Sequence, residues 1–139
     1  MQWYKRAADA GDAEGMAALG TMYSTGRGVE KNPATAAAGY IAAAKRGQLL
    51  AIHNLAYHYD KGIGVARDPQ LAAGHIYEAL ERRYQFTYQQ MMQNSRAWSR
   101  AFRKALQQRL ATAGYYSGSV DGAFGRTTFD AINAMVQAQ

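Results

Sequence analysis

The sequence predicts an all-α protein: an α-solenoid of antiparallel helical hairpins with a period of 36 residues, capped by a further helical pair. Three observations predict it. LGTMYSTGRGVEKNPATAA recurs as LAYHYDKGIGVARDPQLAA, so Leu19 falls on Leu55, Tyr23 on Tyr59, Gly28 on Gly64 and Pro33 on Pro69, each at an offset of 36. Helices start at Asn-Pro and Asp-Pro, and the first of them runs through alanine-rich sequence to a glycine stop at Gly47. Past residue 93 the glycine-punctuated repeat ends, yet apolar residues continue at helical spacing.

Tyr4, Ala7, Ala8 and Gly11 stand 36 positions before Tyr40, Ala43, Ala44 and Gly47, so the chain enters midway through the first helix of a unit. The start of that helix would precede Met1. The natural protein is therefore expected to extend upstream, where a signal, an anchor or a catalytic domain could stand. The helix of Leu19 and Tyr23 stops at Gly26. Asn32 caps the next helix, Pro33 opens it where a missing N–H costs nothing, and Gly47 ends it. LLAIHNLAYHYDKG then places Ile52, Leu55, Ala56 and Tyr59 on one face and stops at Gly62. Asp68 and Pro69 start the third unit with PQLAAGHIYEALERRY, followed by FTYQQMMQN. The turn glycines are missing where Trp98 stands, and the array ends there. A single hairpin cannot bury its own apolar face, and small alanines let neighbours approach closely, so stacking stabilises the array.

A further helix is expected from an Asn94 or Ser95 cap to Gly114, with Trp98, Phe102, Leu106 and Leu110 at successive i+4 positions. Burying each of these is worth roughly 1.5–3 kcal/mol, so the stripe must face a core. The last helix, about Thr127 to Ala138, gathers Ala131, Ile132, Met135 and Val136. YYSGSVDGAFG joins the two. Gly114 and Gly122 suit positive φ, Asp121-Gly122 is a turn dipeptide, and Val120 and Phe124 are spaced to plug the open end of the helix pair.

Across 139 residues, 16 basic against 10 acidic side chains leave a net charge of +6, and the absence of cysteine excludes disulfides and thiolate catalysis. No apolar run reaches membrane-spanning length. Arg96, Arg100, Arg103 and Lys104, with Arg109, lie in a stretch without acids, and like charges at i+4 repel mildly, which suits an anionic partner. No nucleic-acid motif accompanies them, and the glycine-rich loop follows a helix and lacks the lysine of a phosphate cradle. His53 and His58 point to different helix faces, and Asp121 reads as a turn former. No catalytic residue, metal or cofactor is expected.

WYKRAADAGDAEGMAALGTMYSTGRGV and its echo resemble Sel-one-like repeats, a tetratricopeptide-class α-solenoid family, over residues 1–93, about two and a half units truncated at the N-terminus. The resemblance implies a scaffold that holds a protein or peptide partner in a concave groove, with Tyr4 and Tyr40 as candidate groove residues and Tyr23 and Tyr59 as packing residues. ALQQRLATAGYYSGSVDGAFGRTTFDAINAM resembles the peptidoglycan-binding-like domain of bacterial envelope proteins, a small three-helix fold, within residues 94–139. The match rests on Leu106-Gln107, Leu110, Gly114-Tyr115-Tyr116, Gly118, Val120-Asp121-Gly122, Phe124-Gly125, Thr128, Ala131 and Ile132. It departs where Arg126 replaces the usual proline and Met135-Val136 the usual Phe-Gln, and no third helix follows before Gln139.

The capping pair is thus expected to be peptidoglycan-binding-like, with Tyr115, Tyr116, Asp121 and Arg126 as candidate ligand residues; a tyrosine ring offers a sugar an apolar face and a polar tip. Together the resemblances imply a non-enzymatic binding or adaptor module of the bacterial cell envelope, periplasmic or envelope-associated. Its expected partners are peptidoglycan or another envelope component and a protein. Two alternatives stay open. One is the C-terminal targeting region of a larger enzyme, a wall hydrolase or caspase-like protease with its catalytic domain upstream. The other is a purely structural adaptor with no glycan ligand.

Overall fold

The computed structural model describes residues 5–6 and 11–138, and every regular element among them is helical. In chain order these are α1 (Ala13–Thr25), α2 (Pro33–Lys45), α3 (Leu49–Lys61), α4 (Pro69–Glu81), α5 (Gln85–Gln93), a 3-10 turn (Ser95–Ala97), α6 (Arg100–Thr112) and α7 (Arg126–Gln137). The chain forms two compact units, Met1–Arg67 and Asp68–Gln139. Tyr4 lies outside the described residues.

Capping sets the helix starts. Asn32 Oδ1 accepts from the Thr35 amide at 3.2 Å and Asp68 Oδ1 from the Leu71 amide at 3.0 Å, with Pro33 and Pro69 as first helical residues. Each cap satisfies one of the amides that a helix N-terminus leaves unpaired.

In the first unit α1 packs on α2 and α2 on α3, around Ala17, Ala36, Tyr40, Ala43, Ala51 and Leu55. Tyr23 and Tyr59 pack against this core from its edge. The α1–α2 approach is close: a Cβ on Gly20 would stand 2.9 Å from the Tyr40 ring, and one on Gly39 3.0 Å from the Met16 carbonyl. Tyr40 is consequently a core residue, 2% exposed, and not the groove residue its repeat position suggested. Its hydroxyl shares a 2.9 Å hydrogen bond with Thr21 Oγ1, and its ring meets His58 edge-on at 5.3 Å. The physical reason is that Gly20 leaves a slot on α1 that a ring fills.

Burial also governs the histidines of this unit. It pushes the His53 imidazole from 6.5 down to about 4, and pushes His58 down as well, against the opposing pull of the Ile63 carbonyl. Below 6.5 the unfolded chain takes up a proton at His53 that the folded chain refuses until about 4. Stability is therefore complete above the unfolded pKa and falls as pH drops through the folded one, by about 3 kcal/mol for His53. Melting curves between neutral and mildly acidic pH should show this slope. It should flatten in His53→Gln; an unchanged slope in that variant would contradict the assignment.

In the second unit α4 packs chiefly on α6, with α5 and α7 beside them. Phe102, Leu106 and Leu110 of α6 are fully buried, as are Ile76 and Leu80 of α4 and Ile132 and Met135 of α7. The C-terminal helices thus share one compact unit with the last repeat hairpin, which begins at Asp68, whereas sequence resemblance divided the chain after residue 93. The reason is the α6 stripe, which buries itself against α4.

The expected helix start at Asn94 or Ser95 is also revised. Those residues form only the 3-10 turn, and α6 starts at Arg100 because Ser99 Oγ accepts from the Phe102 amide at 3.1 Å. Trp98 precedes the helix in extended backbone, and its ring packs on Phe102 with centroids 4.5 Å apart.

Candidate functional site

The loop between α6 and α7 is organised by a side chain from inside α6. Gln107 follows Leu106 on the core side of the helix and is fully buried. A buried carboxamide must find partners, and the loop supplies them. Gln107 Oε1 accepts from the amides of Gly122 at 2.8 Å and Asp121 at 3.1 Å. Its Nε2 donates to the Ala123 carbonyl at 3.0 Å and to Thr128 Oγ1 at 3.1 Å, with the Tyr116 hydroxyl at 3.4 Å. One side chain thus closes the turn and ties it to the first residues of α7.

The other conspicuous loop residues serve the same closure. Tyr116 is buried and its hydroxyl donates to the Ser119 carbonyl at 2.6 Å. Gly118 permits this, since a Cβ there would come within 2.6 Å of the Tyr116 oxygen. Gly122, at φ +81°, is buried under Arg100, whose Cγ would stand 2.6 Å from an added Cβ. The Asp121 carboxylate accepts from the Ala123 amide at 2.9 Å, and that bond holds its pKa below the usual carboxylate range. Phe124 meets Phe129 edge-on at 6.2 Å.

The structure separates residues that the sequence grouped. Tyr116 faces inward and cannot offer its ring to a sugar, while Tyr115 is half-buried near Tyr77 of α4. Asp121 and Arg126 are both exposed. Of the basic residues, Arg96 sits on the 3-10 turn and not on a helical flank, so the expected i+4 repulsion between Arg96 and Arg100 has no helix to act along. Arg103 is half-buried, with Nε enclosed and lacking a hydrogen-bond partner. Arg100 donates from Nε to the Asp121 carbonyl at 3.0 Å, and Lys104 lies beside it over Gly122, its Cγ 3.2 Å from where a Cβ would stand.

Next to this loop runs an open groove of about 470 Å³. Its floor and wall are a second stripe of α6, Ala101, Lys104, Ala105, Gln108 and Arg109, faced by Val120 and by Gln70 of α4. Val120 was expected to plug the helix pair; it is half-buried and lines this groove. The Arg109 guanidinium reaches across α4 at Gly74, where a Cβ would meet Nη2 at 2.8 Å. Gln107 and Gln70 were absent from the sequence-derived site, and Arg109 entered the sequence reading only as a member of the acid-free basic stretch. Gln107 left a signal as a polar residue inside the string Leu106-Gln107 that carried the resemblance.

Among the described residues no three His, Cys, Asp or Glu side chains gather where a metal could bind, and no helix is long and apolar enough to cross a membrane.

Comparison with known proteins gives a consistent picture. Residues 99–139 match the peptidoglycan binding domain model. Protein sel-1 homolog 2 from Mus musculus and its Rattus norvegicus counterpart are each 41% identical over 70 residues, covering 50% of this chain and 10% of the relative. The chain therefore spans about a tenth of the length of these curated relatives. Among solved structures, a Sel1 repeat protein from Oxalobacter formigenes superposes with a TM-score of 0.60 and 26% identity, over 97% of this chain and 46% of that one. A protective antigen of uropathogenic Escherichia coli displaying an SLR fold gives 0.61 and 24%, over 99% and 33%. The Sel1 repeat model matches residues 1–12, 13–48 and 49–82, more than half the chain. The chain thus belongs to the Sel1 repeat family and carries a peptidoglycan-binding domain after its repeats.

Proposed function

We propose that this protein is a non-enzymatic adaptor of the bacterial cell envelope, in which the C-terminal unit holds peptidoglycan and the repeats hold a protein partner. The observation that carries the reading is the matched domain at residues 99–139, whose loop is closed by a fully buried glutamine beside an open groove. A preorganised surface loses less entropy on binding than a loop that must order itself. Periplasmic or envelope location follows from this ligand. If a catalytic domain lies upstream, as in a wall hydrolase or a caspase-like protease, the same surface would deliver that enzyme to the wall.

A purely structural adaptor is favoured by two observations, the inward turn of Tyr116 and the engagement of Asp121 with its own turn. Co-sedimentation with purified insoluble peptidoglycan separates the readings. The wall-binding protein appears in the pellet in proportion to added peptidoglycan. Retention in the supernatant at every concentration supports the structural adaptor instead. Tyr115→Ala in the same assay reports on the half-exposed ring, and pelleting equal to that of the unaltered protein removes it from the binding surface.

A further inference from the structure

The groove beside the loop has a definite chemistry. Ala101, Ala105 and Val120 give it a low apolar floor, Lys104 and Arg109 border it with positive charge, and Gln70 and Gln108 add carboxamides that can both donate and accept. None of the residues lining it is acidic or aromatic. The positive border is therefore not neutralised from within.

Its dimensions select further. The α6 stripe from Ala101 to Arg109 covers eight helical steps, roughly 12 Å at 1.5 Å each. An extended peptide advances about 3.3–3.6 Å per residue, so three to four residues fit along it. Sugar rings are usually held against aromatic faces. Here Tyr116 is turned inward, and Tyr77 borders a separate hollow of about 290 Å³ past Arg109.

We infer that the groove takes the short, alanine-rich, carboxylate-bearing peptide that hangs from the wall's sugar chain, and that the sugar chain itself is not its ligand. Resting on the proposed wall-binding function, this inference names the part of the polymer that is read. Lys104 and Arg109 hold the carboxylates, the alanine floor leaves room for the peptide to lie close along α6, and Gln70 and Gln108 pair with the peptide backbone. Gln70 belongs to the last repeat, residues 49–82, and the α6 stripe to the matched domain, residues 99–139. The repeat therefore supplies one wall of the ligand site.

The test uses the full chain and three probes: intact insoluble peptidoglycan, the same material stripped of peptides by an amidase, and the soluble stem tetrapeptide with its carboxyl groups free or amidated. Pelleting with intact material, loss of pelleting with stripped material, and competition by the free but not the amidated tetrapeptide are expected. Lys104→Gln should bind about tenfold more weakly, the effect of one lost charge-assisted contact. Gln70→Trp, on the exposed face of α4, should block the groove to a similar degree. Circular dichroism melts establish that both variants fold, and titration of the unaltered protein with the tetrapeptide stands independently of them. Equal pelleting with stripped and intact material overturns the inference and leaves the wall-binding function standing. Competition by free and amidated tetrapeptide alike overturns the role of the carboxylates. Failure to pellet with either material overturns the function itself.

Discussion

Gly64→Ala should destabilise the first unit by about 3–5 kcal/mol, while the same change at its repeat equivalent Gly28 should cost only about 1–2 kcal/mol. Both residues hold left-handed backbone, φ +73° at Gly64 and +71° at Gly28, and an L side chain there costs about 1–2 kcal/mol by itself. The surroundings differ. A Cβ on Gly64 would lie 2.2 Å from the Pro33 carbonyl oxygen and 2.9 Å from the Ala34 amide nitrogen, both backbone atoms at the start of α2. Backbone cannot swing aside as a side chain can, so the turn must separate from the helix it covers. At Gly28 nothing stands within 4 Å. Urea denaturation of the two variants under identical conditions measures the difference directly. Equal losses at both positions would show that φ alone sets the requirement and that the close approach to Pro33 is immaterial.

The second large effect is expected at Gln107. Gln107→Leu keeps the approximate volume and removes the hydrogen bonds that Gln107 makes to the loop, leaving the amides of Asp121 and Gly122 and the carbonyl of Ala123 without the carboxamide. A buried amide deprived of its partner costs about 1–3 kcal/mol, and Gly122 is buried, so a total on the order of 3 kcal/mol is expected for the second unit. Hydrogen exchange gives the sharper readout, because the Asp121 and Gly122 amides should lose protection while the middle of α6 keeps it. Wall binding should fall with them, since Val120 borders the groove and follows the loop. If both amides stay protected in the variant, the loop closes by its own turn geometry and the glutamine is dispensable.

Sequence reasoning came close on the elements because their signals are local. The Asn32-Pro33 and Asp68-Pro69 starts and the left-handed Gly26 and Gly62 stops all act within a few residues, and the structure places each as expected. Where three caps competed, local reading erred: Asn94, Ser95 and Ser99 are all acceptable N-caps, and the packing of Trp98 on Phe102 accompanies the choice of Ser99. The 36-residue period misled at Tyr40, which it put beside Tyr4 as a groove residue. Arg83 stands one period after Gly47 and adopts φ 56° without being glycine.

The sequence by itself determined the all-helical repeat, its period, most helix ends and the kinship of both halves, because these depend on spacing and capping within short windows. Only the tertiary structure decided which polar residues act. Gln107 meets Gly122 across 15 positions, Arg100 meets Asp121 across 21, and the groove joins Gln70 to α6 across a wider separation still. Such meetings depend on how helices pack, and a side chain's surroundings, more than its type, decide whether it closes a loop, fills a core or faces a ligand.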